Sequence, residues 1–92
     1  MNSEFAKSPS VGAVRTRIKI CGLTREQDVD AASAAGADAI GFVLYDKSPR
    51  YVSIQRAAAL ASRLPPFVTP VLLYANEDTT KIIANYAYLI VQ

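Results

Sequence analysis

The chain contains no histidine and no tryptophan, and only one cysteine and one methionine. Without histidine, the commonest general base and a principal metal ligand are both missing. A single cysteine cannot close an internal disulfide, which fits a reducing, cytoplasmic setting. A metal centre would need carboxylates gathered around that one thiol; the sequence holds no such cluster, and no metal is expected. Charge of one sign is scarce as well: ten Lys and Arg against eight Asp and Glu leave a net charge of +2. The basic residues are scattered and not interleaved with aromatics, so nucleic acid is not expected as a partner. No apolar run approaches a membrane span, and no membrane association is expected. Residues 1–14 lack the basic-then-apolar order of a secretion signal. They read as a polar, mobile tail, broken at Ser8-Pro9-Ser10 and Gly12.

What remains is an apolar chain: 51% of its 92 residues are hydrophobic and 20% charged, the balance of one small globular domain over residues 15–92. Ile18 to Cys21 is a compact apolar run suited to a buried strand. Thr24-Arg25-Glu26-Gln27 has the form of a capping box, and Val29, Ala32 and Ala35 follow at helical spacing up to Gly36, a natural stop. Ala39 to Leu44 is a second strand, apolar on both faces as in a parallel sheet. Asp46-Lys47-Ser48-Pro49-Arg50 is a loop. Ser53 then caps a helix with Ala57, Leu60, Ala61 and Leu64 on one face, which Pro65-Pro66 ends. Val68 to Tyr74 reads as a third strand, secure from Val71 because Pro70 cannot donate to a ladder. Asn76 or Asp78 caps a third helix with Ile82, Ile83 and Tyr86 inward, and Tyr88 to Gln92 reads as a fourth strand. This β-α-β-α-β-α-β order predicts an α/β fold of parallel strands joined by right-handed crossovers.

Chemistry in such folds gathers at the strand ends, and two residues stand there. Cys21 closes the first strand. Taken alone it is either a packed small hydrophobe or a catalytic thiol. Arg50 lies in the loop after the second strand, where it is either solvated or a bidentate carboxylate ligand. Lys19 shares a strand face with Cys21 and could act on the thiol or satisfy a buried carboxylate. Asp28, in the first turn of a helix, complements the helix dipole. Pro49 shapes its loop, and Asn76 is better read as a cap than as a ligand contact.

Three segments together carry a family resemblance. They are Lys19-Ile20-Cys21-Gly22-Leu23-Thr24 with Asp28, Gly36-Ala37-Asp38-Ala39-Ile40-Gly41-Phe42-Val43, and Lys47-Ser48-Pro49-Arg50-Tyr51. With Leu64-Pro65-Pro66-Phe67-Val68 and Asn76, they resemble phosphoribosylanthranilate isomerase from about Arg17 to Gln92. The resemblance implies the N-terminal half of a (βα)8 TIM-type barrel, written here as (βα)3-β. It implies an Amadori rearrangement of N-(5-phosphoribosyl)anthranilate in tryptophan biosynthesis, an aldose–ketose isomerisation without a cofactor. By the same resemblance Cys21 is the catalytic base, Arg50 binds the anthranilate carboxylate, and the partner is a small phosphorylated substrate. The family's general acid, an aspartate, and its phosphate loops lie on later strands with no counterpart here.

Two other readings accompany this one. Another barrel enzyme acting on a small phosphorylated metabolite would share the fold with a different role for the thiol. A non-catalytic half-barrel would fold only by self-association or by pairing with the missing C-terminal half. Four parallel strands with helices on one side expose two edges and an apolar inner face. At about 25 cal/mol per Å², several hundred Å² left open would forgo on the order of 10 kcal/mol.

Overall fold

The computed structural model describes residues 15–91; the expected polar tail over residues 1–14, and Gln92, lie outside the described residues. Six elements alternate: β1 (Lys19–Cys21), α1 (Glu26–Ala34), β2 (Ala39–Val43), α2 (Ile54–Ala61), β3 (Thr69–Leu73) and α3 (Thr79–Val91). The strands form one parallel sheet in the order β1-β2-β3. Lys19 to Cys21 pair with Ala39 to Gly41, and Ala39 to Val43 pair with Thr69 to Leu73.

The period-2 rule divides this sheet into two faces. Ile20, Ile40, Phe42 and Leu72 point to one side. There Ile40 and Phe42 are fully buried with Val29 of α1 and Ala57 and Leu60 of α2. The alanines of α1 and α2 let both helices lie close to these strands. The other face carries Lys19, Cys21, Gly41, Val43, Val71 and Leu73, and no helix covers it among the described residues.

The expected fourth strand is not formed. Tyr88 to Val91 is the last turn of α3, a thirteen-residue helix that begins at Thr79. The fold is three βα units, and the (βα)3-β reading is corrected at its last element. The apolar run Tyr88-Leu89-Ile90-Val91 is too short to separate strand from helix by itself. It continues the helical spacing of Ile82, Asn85 and Leu89, the half-buried side of α3. Ile83 and Tyr86, expected inward, are 63% and 59% exposed; with Ile90 they form a stripe that nothing described covers.

Pro70 lies inside β3, contrary to the expectation that the strand is secure only from Val71. The Thr69 amide donates to the Asp38 carbonyl at 3.0 Å, and the Leu73 carbonyl accepts from the Leu44 amide at 2.9 Å. Odd positions of β3 therefore bond to β2, and the Pro70 nitrogen faces the open edge, where no donor is needed.

The helix ends were partly legible. Gly36 adopts φ +100, with its amide on the Ser33 carbonyl and the Ala37 amide on the Ala32 carbonyl, a Schellman ending of α1. Ser53 caps α2, its side chain accepting from the Arg56 amide at 3.1 Å. Asp78, not Asn76, caps α3 by accepting from the Thr80 amide at 3.1 Å. The capping box at Thr24 is not formed. Helix α1 starts at Glu26 behind Arg25, which offers no side-chain cap. The Thr24 carbonyl and the Glu26 carboxylate are instead held by Arg56 of α2, at 3.0, 2.7 and 2.9 Å. Arg63, two residues past the end of α2, makes a second two-pronged bridge, to Asp30, so two guanidinium–carboxylate pairs tie α2 and the turn after it to α1.

At the N-terminal end of the sheet, Asp38 touches all three strand entries. Its carboxylate accepts from the Ile18 amide at 2.8 Å and from Arg15. Its amide donates to the Ile18 carbonyl, and its carbonyl accepts from Thr69. The Arg15 hydrogen bond, then the Ile18 amide, holds Asp38 down to about 2, against an ordinary 3.8. The Arg56 hydrogen bond holds Glu26 down to about 2, against 4.5. A carboxyl whose folded pKa is depressed stabilises the fold fully above its unfolded value and ceases to do so as pH falls through the folded one. The urea midpoint of the chain, followed by circular dichroism, should therefore fall between about pH 4.5 and about pH 2. Asp38→Asn and Glu26→Gln should each flatten that slope. A midpoint independent of pH in the unsubstituted chain would contradict the assignment.

Candidate active site

Strand β1 ends where Gly22 takes φ +81, and its amide donates to the Gly41 carbonyl at 2.8 Å. This bond carries the β1–β2 ladder one residue past Cys21 and fixes the thiol at the C-terminal end of the sheet. Cys21 lies on the face away from the helices and is exposed. Lys19 lies on the same face, also exposed, in agreement with the sequence expectation. The thiol rests over a bare backbone: a Cβ at position 41 would stand 3.2 Å from Cys21 Sγ and 3.1 Å from Leu73 Cδ1.

Arg50 belongs to the loop between β2 and α2. Its amide donates to Ser48 Oγ at 3.1 Å, the Tyr51 amide to the Ser48 carbonyl at 3.1 Å, and the Val52 amide to the Val43 carbonyl at 2.9 Å. These bonds fold the loop back over the end of β2, and Tyr51 forms a parallel bridge with Val43. The Arg50 side chain then runs across Gly22. A Cβ on Gly22 would lie only 2.4 Å from Arg50 Cδ. The two residues singled out in the sequence thus meet at one end of the sheet, Arg50 crossing the residue next to Cys21. No ion pair among the described residues engages the Arg50 guanidinium. With Cys21 as the thiolate, this arrangement can take a proton from one small molecule while the planar cation holds its carboxylate.

The other candidates sort differently. Asp28 is bonded to Arg25 at 2.8 and 3.1 Å, a surface pair within one helical turn. Asn76, at φ 55, does not cap α3. It lines a cleft of about 230 Å³ between the loops after β2 and β3, with Tyr45, Asp46, Tyr51 and Lys81. The sequence reading gave Tyr45 and Tyr51 no role; their place on either side of the Arg50 loop was the available signal.

Several known proteins are similar to this chain in sequence. A phosphoribosylanthranilate isomerase from Methylibium petroleiphilum is 75% identical over 74 residues, which is 80% of this chain and 35% of that protein. The isomerase of Dechloromonas aromatica is 73% identical over 64 residues, 70% of this chain and 31% of that one. The crystal structure of the Thermotoga maritima enzyme superposes with a TM-score of 0.80 at 42% identity, over 83% of this chain and 37% of that chain. The chain resembles part of phosphoribosylanthranilate isomerase. It spans about a third of the length of the curated relatives it matches. Its three βα units are those of a partial (βα)8 barrel. A second solved isomerase, equally similar in fold, holds reduced 1-(o-carboxyphenylamino)-1-deoxyribulose 5-phosphate. No family model matches the chain.

The exposure of Cys21 has a direct check. Iodoacetamide should add one carbamidomethyl group at Cys21 without denaturant, and urea should speed the reaction less than about tenfold, because the folded chain already presents the thiol. Modification only after unfolding would place the thiol in the core.

Proposed function

We propose that this chain carries the proton-abstracting and carboxylate-binding part of a phosphoribosylanthranilate isomerase. Cys21 is the base and Arg50 the anchor. The observation that supports the reading most is the crossing of Arg50 over Gly22, which brings the guanidinium beside the strand end that bears the thiol. The ligand held by a structural relative carries both a carboxyphenyl group and a phosphate. Its carboxylate has the planar, bidentate form that a guanidinium matches.

In the proposed reaction a general acid supplied by the rest of the barrel protonates the ring oxygen of the aminoaldose, and the C1′–O bond breaks to give the iminium. Cys21, as the thiolate, takes the proton from C2′ and becomes the thiol. The electron pair moves to C1′=C2′ and neutralises the nitrogen, and the resulting enolamine tautomerises to the ketone. Every proton lost at C2′ or O2′ is regained at oxygen or carbon, so no cofactor enters. We place the reaction in the cytoplasm, where a free thiol stays reduced. Among the described residues no helix is long and apolar enough to cross a membrane.

The test joins residues 15–91 to the remaining two thirds of the Methylibium petroleiphilum relative. In that chimera Cys21→Ala should lower kcat by ~10²–10⁴ with little change in KM, the usual cost of losing a base. Arg50→Ala should mainly raise KM, and Arg50→Lys should not restore it. An analogue without the benzoate carboxylate should bind the parent and Arg50→Ala equally. The 92-residue chain alone should not turn over the substrate; turnover abolished by Cys21→Ser would overturn that expectation.

A second reading, that the isolated chain pairs with itself or with a complementary piece, is supported by its edges. An apolar groove of about 450 Å³ beside the open edge of β3 is lined by Val71, Leu72, Ile82, Ile83 and Tyr86. Tyr74 also lines it, and its hydroxyl is buried with no hydrogen-bond partner. A second groove of about 340 Å³ runs along β1 between Ile18, Ile20 and the alanines of α1. The open edges are β1 and β3, since the fourth strand expected at Tyr88 to Gln92 is not formed. The chain alone should sediment as more than a monomer or bind a dye that reports apolar surface. A monomer with a sharp melt and no dye binding would contradict this.

A further inference from the structure

We propose that Gly22 is the positioning residue for Arg50: the missing side chain at position 22 is the track on which the arginine crosses the strand end that bears the thiol. This inference rests on the reading of Arg50 as carboxylate anchor and adds the residue that sets its place. Three consecutive side-chain atoms of Arg50 run over the glycine. A Cβ built on Gly22 would stand 2.4 Å from Cδ, 3.3 Å from Nε and 3.5 Å from Cγ. Ordinary carbon–carbon contact is near 3.5–4.0 Å, so a methyl group there would push Cδ aside by roughly 1 Å.

Both backbones are held, so the Arg50 side chain is the part that must move. The Gly22 amide is bonded to the Gly41 carbonyl at 2.8 Å, which holds that backbone against the central strand. The Arg50 backbone is held by Ser48 Oγ and the returning loop. A displacement of the side chain near Nε swings the fork at its tip, and a bidentate pair tolerates little of that. The φ of +81 admits glycine readily, but asparagine also enters the left-handed region. Any other side chain at this φ is strained, so the backbone and the arginine's path each favour glycine here, and Gly22→Asn, which tolerates the backbone best, separates the two demands. Gly41 has the same relation to Cys21 Sγ, at 3.2 Å, and serves as a contrast.

The experiment uses the chimera described above and compares Gly22→Ala, Gly22→Asn, Arg50→Ala and the double variant Gly22→Ala/Arg50→Ala. Gly22→Ala and Gly22→Asn should each raise KM roughly tenfold or more, the size of one lost charge-assisted pair, with kcat within a few-fold of the parent. In the Arg50→Ala background Gly22→Ala should raise KM no further, because no side chain remains to be displaced. Gly22→Asn keeps the test alive where Gly22→Ala does not fold. Equal KM increases in both backgrounds, or a loss confined to kcat, would overturn the proposal. The Arg50 Nε–H resonance in nuclear magnetic resonance spectra supplies an activity-free readout. It should move in Gly22→Ala and stay in Gly41→Ala; an unmoved resonance in Gly22→Ala would overturn the proposal. A moved resonance with KM unaffected by Arg50→Ala supports the Gly22–Arg50 contact and overturns the anchor reading instead.

Discussion

Asp38 binds the entry of every strand in the sheet. Its carboxylate and amide hold Ile18 before β1, its own position opens β2, and its carbonyl takes the Thr69 amide that opens β3. A parallel sheet has no hairpins to set its register, so the pairing must be fixed by groups at the strand ends and by side-chain burial. Here both act on β2. The carboxylate fixes where the three strands start, and the buried Ile40 and Phe42 fix which face turns toward the helices. A slip of one residue would place Gly41 in the core and leave both large side chains on the open face.

The strand order follows from that constraint, and so does the separation of stability from chemistry. The ion-paired Asp38 stands at the N-terminal end of the sheet. Cys21, Gly22, the Arg50 loop and the cleft at Asn76 all stand at the C-terminal end, one strand length away. In barrels of parallel βα units the first end carries stability and the second carries reactive groups, because the loops at the second end vary without disturbing the ladder. The inter-helix bridges Arg56–Glu26 and Arg63–Asp30 belong to the structural class. They hold α1 and α2 as one layer behind β1 and β2, and so keep the strand ends that carry Cys21 and Arg50 adjacent.

Features carried by local pattern were legible in the sequence. The apolar runs at Ile18 and Ala39, the hydroxyl at Ser53 and the glycine at Gly36 each act within five residues, and each forms the element it signals. Features decided by distant partners were not. The box at Thr24 is a sound local motif, but Arg56, thirty residues away from Glu26, binds the Thr24 carbonyl and the Glu26 carboxylate, and the helix starts behind Arg25 instead. Tyr88 to Val91 was read as a strand because a four-residue apolar run fits either period. What decides is its continuity with Ile82, Asn85 and Leu89, the side of α3 that α2 and β3 bury. Ile83 and Tyr86 are expected inward, yet among the described residues they only rim the groove beside β3 and stay exposed. At the site, motif spacing marked Cys21 and Arg50 but could not show that one side chain passes over the neighbour of the other.

That crossing explains why Cys-Gly and Ser-Pro-Arg are more informative together than apart. A thiol at a strand end is common, and an arginine in a loop is commoner. They become one site only if the arginine can lie flat against the end of the first strand, which requires a residue without Cβ directly after the thiol. Gly41 leaves a snug space beneath Sγ on the neighbouring strand, a Cβ there standing 3.2 Å away. At Gly22 a side chain would occupy the space that the Arg50 stem now fills, so that glycine acts through what it omits. The same economy leaves the rest of this face open: Lys19, Val43, Val71 and Leu73 have no helix over them. A (βα)8 barrel closes such a face with the strands that follow. Among the described residues that face stays uncovered, so it is where the sheet is least protected, and it is also the face that carries Cys21 and Lys19.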